Sequence, residues 1–161
     1  MADYTFLTVH RPAPAAMAIA LAEVVGVTAA EVDVADESDG HRDWTAAVLC
    51  DRMSLTGDLA LCWDVRVAPR VAPPPPTEAE AALLLAALLG TTVLHPAGGV
   101  VRPSAYWAAT PDGIRTRARV LDEDDTSEDG PPSLIVDAVE EPVAQLPRAR
   151  VERILEAGQD G

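Results

Sequence analysis

The residues most able to do chemistry are carboxylates. Between 122 and 129 the chain carries Asp122, Glu123, Asp124, Asp125, Glu128 and Asp129, with no basic residue among them. A second acidic stretch, EVDVADESDGHRD over 31–43, holds six carboxylates, among them Asp36, Glu37 and Asp39, against a single arginine. Three chemistries use clustered carboxylates. A calcium loop of the EF-hand type needs ligands at fixed alternate positions, a central glycine and a closing glutamate, and DEDDTSEDGPP lacks that spacing. Glycoside hydrolysis pairs two carboxylates in a cleft, which in sugar-binding proteins is lined with aromatic rings; six aromatic residues in the whole chain are few for that. The third use is electrostatic. Like charges on a loop repel one another, and a positively charged partner relieves that repulsion, its arginines pairing with carboxylates where a phosphate would otherwise sit. A solvated loop with no partner is the plain alternative.

Other catalytic or metal-binding patterns are missing. The sequence has no glycine-rich phosphate loop, no G-x-S-x-G elbow and no H-E-x-x-H pair. His10, His41 and His95 are scattered, whereas a metal site wants ligands at set spacing. Cys50 and Cys62 have no such companions. If the segment between them is a tight hairpin, they face each other as a buried apolar pair. No catalytic residue, metal or cofactor is therefore assigned.

Net charge is -14, from 26 acids against 12 bases, and every base is arginine. That charge repels nucleic acid and anionic membranes and favours fast encounter with a basic protein. The longest apolar run, AALLLAALL over 81–89, is too short to cross a bilayer. The first residues show no basic region followed by a long apolar stretch, as a secretory signal would. The expectation is a cytoplasmic protein with reduced thiols.

Which elements would hold these residues? Length and a hydrophobic content of 48% fit one domain over 1–161 with a core of Ala, Val and Leu. Aromatic and β-branched content and alternation predict strands over 4–10, 31–35, 44–52, 58–68, 91–96, 105–110, 114–122 and 133–139. Helices are expected over 14–25 and 78–89, each closed by a glycine, the second opened by a Thr77–Glu80 capping box. A third helix is expected over 147–157, with Val151, Ile154 and Leu155 on one stripe. The 78–89 helix is apolar on nearly every side, so deep burial is expected. Residues 71–76, VAPPPP, form a rigid crossover. Pro111-Asp112-Gly113 marks a hairpin turn. In the strand after it Arg115, Arg117 and Arg119 alternate with Thr116, Ala118 and Val120, giving one basic and one packing face. The fold class is α+β, a mainly antiparallel sheet with about three helices on one face.

LLLAALLGTTVLHP followed by AYWAATPDGIRTRARVLDED resembles the immunity proteins of bacterial, in particular actinobacterial, polymorphic toxin systems. There a helix ending in Leu-Gly, a strand ending near a proline and a P-D-G hairpin lead to an acidic loop. The likeness covers roughly 83–125. It implies a protein that binds and neutralises a cognate toxin, with no catalysis and no cofactor. On this reading the carboxylates of 122–129, helped by Asp36, Glu37 and Asp39, occlude a basic active site, and Trp107, Tyr106 or Trp44 supplies a hydrophobic anchor. Two rivals stand beside it. One is a scaffold or chaperone-like adaptor, homodimeric through its apolar surface. The other is a small-molecule-binding or enzymatic domain whose site is assembled from scattered residues, for instance a pocket joining His10 to Arg115 or Arg117.

Overall fold

The computed structural model describes residues 2–36, 43–97, 105–122 and 132–154. Over the described residues it is an α+β fold with two α-helices, α1 (Pro14–Val25) and α2 (Glu78–Leu89). Ten strands share one sheet: β1 (Ala2–Thr8), β2 (Val32–Asp36), β3 (Val48–Ser54), β4 (Thr56–Gly57), β5 (Leu61–Val67), β6 (Val93–Pro96), β7 (Ala105–Ala109), β8 (Arg115–Asp122), β9 (Ser133–Val139) and β10 (Arg150–Val151). Their order is β10-β9-β8-β7-β6-β1-β5-β3-β2. Pairing is mostly antiparallel; β2 runs parallel to β3, and β4 and β10 run parallel to β9.

The two residues of β4 decide the shape. They lie in the link between β3 and β5 yet pair with the start of β9, at the far side of the sheet. The strands from β5 round to β9 are thereby joined into a ring. Gly57 makes the contact feasible. Its φ is +95°, and a Cβ there would sit 2.4 Å from the Leu134 carbonyl oxygen.

Alternation along the strands yields two cores. Inside the ring lie Leu7, Leu59, Leu94, Ala108, Ala118 and Val136. On the opposite face of β1, β5 and β3, Phe6, Val48, Trp63 and Val65 meet Met17 and Leu21 of α1 and Leu85 of α2. Trp63 is fully buried there, its indole N–H donating to Thr8 Oγ1 at 3.1 Å, so its one polar atom is satisfied. The helix ends follow the sequence. Glu80 N–H donates to Thr77 Oγ1 at 3.2 Å, and Gly26 and Gly90 close the helices with left-handed φ.

Four expectations are corrected. No helix forms over 147–154. Val151 instead lies in β10, which covers the β9 edge, and the rest of the expected helix lies outside the described residues. An unpaired strand edge leaves backbone groups without partners, and that need outweighs a three-residue apolar stripe. Residues 44–47 form a turn rather than the start of β3. Cys50 and Cys62 do not face each other. The register sets Cys50 opposite Val65 and Cys62 opposite Met53, because the link between the strands makes the excursion to β9; neither cysteine forms a disulfide. Finally, α2 is buried on one side only. Ala81, Ala82, Leu85 and Ala86 face the core, while Leu84 and Leu88 are 47% and 45% exposed, since no other described element packs over them.

Candidate functional site

The register places a row of carboxylates where single strands do not reveal it. Asp33, Leu49, Arg66 and Asp3 lie side by side across β2, β3, β5 and β1, on the face away from the helices. The next row is Ala35, Asp51, Asp64 and Thr5. A third, Met53, Cys62 and Leu7, turns into the ring interior. Two residues along a strand span about 7 Å, so the first two rows make one continuous surface.

Asp51 and Asp64 are directly opposed. Like charges in that position destabilise a sheet. Each has local compensation: Arg66 Nη2 lies 3.3 Å from Asp51 Oδ2, and Thr5 Oγ1 donates to Asp64 Oδ1 at 3.3 Å. Arg66 is the arginine that the strand register itself sets among Asp3, Asp33, Asp51 and Asp64. The field reaches the thiol behind it: burial, and secondly the Asp64 carboxylate, push Cys62 up to about 11.

Trp44, 71% exposed, sits in the turn that Asp43 ties to Asp33. Its turn is pinned from three sides. Asp43 N–H donates to Asp33 Oδ2 at 3.2 Å. Thr45 donates to Asp43 Oδ1 from its backbone N–H at 3.1 Å and from its hydroxyl at 2.6 Å. Arg70 Nη2 donates to the Thr45 carbonyl at 2.7 Å. The two Thr45 bonds, side chain first, hold the Asp43 carboxyl below its usual range. A largely exposed aromatic ring thus sits in a turn tied to Asp33 of the first row.

The residues singled out from sequence are dispersed. Glu123, Asp124, Asp125, Glu128, Asp129, Glu37 and Asp39 lie outside the described residues. Asp122 is exposed at the end of β8, opposite Leu134, and Asp36 ends β2 opposite Arg52. Gly57, five residues beyond Arg52, pairs with the same Leu134. The chain thus enters one acidic stretch from β2, the neighbour of β3, and the other from β8, which β9 separates from β4. Trp107 and Tyr106 point to opposite faces. Tyr106 packs against the ring interior, and burial first raises its hydroxyl pKa. Trp107 lies outside the ring under Arg115 and Arg117, whose guanidinium carbons stand 4.3 and 5.2 Å from its ring centroid.

The alternation along β8 is as expected, but its basic face is partly neutralised. Arg119 donates to both Asp137 oxygens at 2.8 and 2.7 Å and to Glu152 at 2.9 Å, and Asp137 is the extra residue of a β-bulge. Among the described residues, neither the cleft beside the β7–β8 turn nor the groove between α1 and α2 includes His10 or these arginines. The cleft beside the β7–β8 turn, about 360 Å³, is lined by Thr92, Thr110, Pro111, Ile114, Val143 and Gln145 among others, with no histidine or arginine.

One carboxylate–imidazole pair occurs elsewhere. Glu78 Oε2 accepts the Thr5 N–H at 3.0 Å, a donor that the short β6 leaves unpaired, and Glu78 Oε1 lies 3.6 Å from His95 Nδ1. His95 is buried, and it lines neither the cleft beside the β7–β8 turn nor the groove between α1 and α2. Its geometry serves the gap between β1 and β6. Among the described residues no group of three or more His, Cys, Asp or Glu is placed to hold a metal ion, and no helix is long and apolar enough to cross a membrane.

Comparison of the chain with protein-family models, with curated proteins and with solved structures returns no match. The function is therefore read from the site alone.

Proposed function

We propose that the protein is a non-catalytic binding protein that neutralises a basic protein partner by covering its positively charged surface, in the manner of an immunity protein against a toxin. The observation that carries this reading is the opposed pair Asp51 and Asp64 on a face that also bears Asp3 and Asp33, with the exposed Trp44 in a turn that Asp43 ties to Asp33. Setting like charges directly opposite costs stability, and a partner's arginines or lysines would turn that cost into binding energy. Trp44 supplies what charge alone does not, an apolar anchor for a pocket on the partner. Because its turn is already fixed, little conformational entropy is lost when it docks. The carboxylates of 122–129, with Asp36, Glu37 and Asp39, extend the same sign of charge and draw the partner in from a distance. An interface of ordinary size would bury roughly 1,600 Å² in all.

The experiment is co-expression. Cells making a candidate basic toxin, chosen from the genes beside this one, are scored for survival with the wild-type protein and with Trp44→Ala or Asp51→Asn/Asp64→Asn. The reading expects rescue by the wild type and its loss in folded variants. Full rescue by both variants contradicts it.

A further inference from the structure

At the end of the strand ring where β6 begins and β7 finishes lies the cleft of about 360 Å³. Barrel mouths are a frequent place for ligand sites. Continuing the β6–β7 register one step past its last pair sets Thr92 opposite Thr110. Alternation puts both on the side of Leu94 and Ala108, which lie inside the ring. The walls are largely apolar, Pro111 and Ile114 from the β7–β8 turn and Pro142 and Val143 from the segment after β9. Ile114 is 48% exposed there.

Most polar groups of the cleft already have partners. Thr110 Oγ1 accepts the Ile114 N–H at 3.1 Å and donates to the Ile114 carbonyl at 3.3 Å. Gln145 accepts the Thr92 N–H through its side-chain oxygen and donates its amide to the Gly90 carbonyl at 3.2 Å. The Thr92 hydroxyl differs. The residue is fully buried, and the hydroxyl has no hydrogen-bond partner among the described residues. A buried hydroxyl left unpaired destabilises a fold, so its place in the lining points to a bond made with an occupant. Charge narrows the occupant further. Asp112, exposed, is the one charged residue among the described residues of the lining, in a chain of net charge -14. That field repels anions and draws in cations. The volume suits roughly a dozen non-hydrogen atoms, at about 30 Å³ for a water.

We infer that this cleft binds a small hydroxylated amine, a compact apolar body with an ammonium at one end and a hydroxyl at the other. The body packs on Pro111, Ile114 and Val143. The ammonium stays at the rim with Asp112, and the hydroxyl bonds Thr92 at the inner end. Rotation of the half-buried Gln145 side chain, whose bond to Gly90 lies at the surface, admits it. An amine without the hydroxyl leaves Thr92 unpaired, and a carboxylate is repelled. The inference does not depend on the acidic face.

Titration of the full chain at pH 7, followed by amide NMR, tests it with three probes: tyramine, phenethylamine, which lacks the hydroxyl, and 4-hydroxyphenylacetate, which exchanges the ammonium for a carboxylate. Tyramine is expected to give saturable shifts at Thr92, Thr110, Ile114 and Gln145. Phenethylamine should bind about fivefold more weakly, the worth of one hydrogen bond, and 4-hydroxyphenylacetate should not saturate. Thr92→Val keeps the shape and should reduce tyramine to the phenethylamine affinity. It breaks no side-chain bond within the described residues, so its urea unfolding should match wild type. Asp112→Asn should weaken both amines alike. The ranking of the three probes on the wild type stands whether or not a variant folds. No saturable shifts at the cleft with tyramine overturn the inference. So do equal affinities for tyramine and phenethylamine, a tyramine affinity that a folded Thr92→Val leaves unchanged, or 4-hydroxyphenylacetate binding as tightly as tyramine. None of these results bears on the partner proposed for the acidic face.

Discussion

Replacing Asp64 with asparagine should stabilise the fold. The change keeps the shape and the acceptor that takes the Thr5 hydroxyl, and it removes one of the two opposed charges. Side chains directly opposite on paired strands stand about 5.5 Å apart. Two unit charges at that distance in water repel by about 0.75 kcal/mol, and physiological salt roughly halves this. Asp64 is exposed and Asp51 half-buried, so the value for water is the relevant one. The Arg66 pairing with Asp51 survives the substitution. The gain is therefore about 0.4 kcal/mol at 0.15 M salt, about 0.6 at 0.01 M and close to zero at 1 M. For a chain of this length that raises Tm by one to two degrees at moderate salt. Urea unfolding of both proteins at the three salt concentrations measures it. A loss of stability, or a gain that does not fall with salt, would refute the claim that this face holds unfavourable charge for a purpose other than folding.

Three further perturbations probe the elements that hold the site. Gly57→Ala forces a Cβ against the Leu134 carbonyl at a positive φ; it should cost about 2–4 kcal/mol in urea unfolding, and a neutral result would mean that β4 does not close the ring. Asp137→Asn should cost about 2 kcal/mol at pH 7, because Asp137 is largely buried and takes two bonds from Arg119, itself a third exposed. The Arg119 hydrogen bonds hold the Asp137 carboxyl below its usual value. Its contribution is thus complete above the unfolded value of about 3.9 and is lost as pH falls through the lower folded value. The wild-type advantage should be full at pH 6 and shrink below pH 4; an advantage unchanged at pH 2 would contradict the ion pair. Cys62, with its thiol near 11, should react with iodoacetamide at pH 8 far more slowly than a free cysteine, and mass spectrometry of the labelled native protein reads the rate.

The parts of the fold that were legible in the sequence rest on local chemistry. Pro111-Asp112-Gly113 makes the β7–β8 turn, with Gly113 N–H donating to the Thr110 carbonyl at 3.0 Å. Thr77 caps α2, and the alternation of Arg115, Arg117 and Arg119 with Thr116, Ala118 and Val120 sorts β8 into two faces as read. What was hidden depends on partners distant along the chain. The short β4 is recognisable only through its pairing with β9, and that pairing separates Cys50 from Cys62. The apolar stripe of 151–155 fits a helix well; only the bare edge of β9 explains why Val151 joins the sheet. The acidic row was half visible. Aspartates on the alternating positions of EVDVA, AAVLCDR and CWDVRV hint at strand faces bearing charge, but which of them meet is fixed by register. The Trp44 turn had its own signal, an Asp followed two residues on by Thr, which favours a side chain folding back on the backbone over a strand.

The most direct test of the central claim is the rate at which the protein associates with a basic protein recovered by it at low salt. Stopped-flow measurement between 20 and 500 mM NaCl should show the association rate falling at least tenfold for the wild type, with a shallower slope for Asp51→Asn/Asp64→Asn, and a faster dissociation for Trp44→Ala. Association rates that ignore salt, with both variants indistinguishable from wild type, would contradict it.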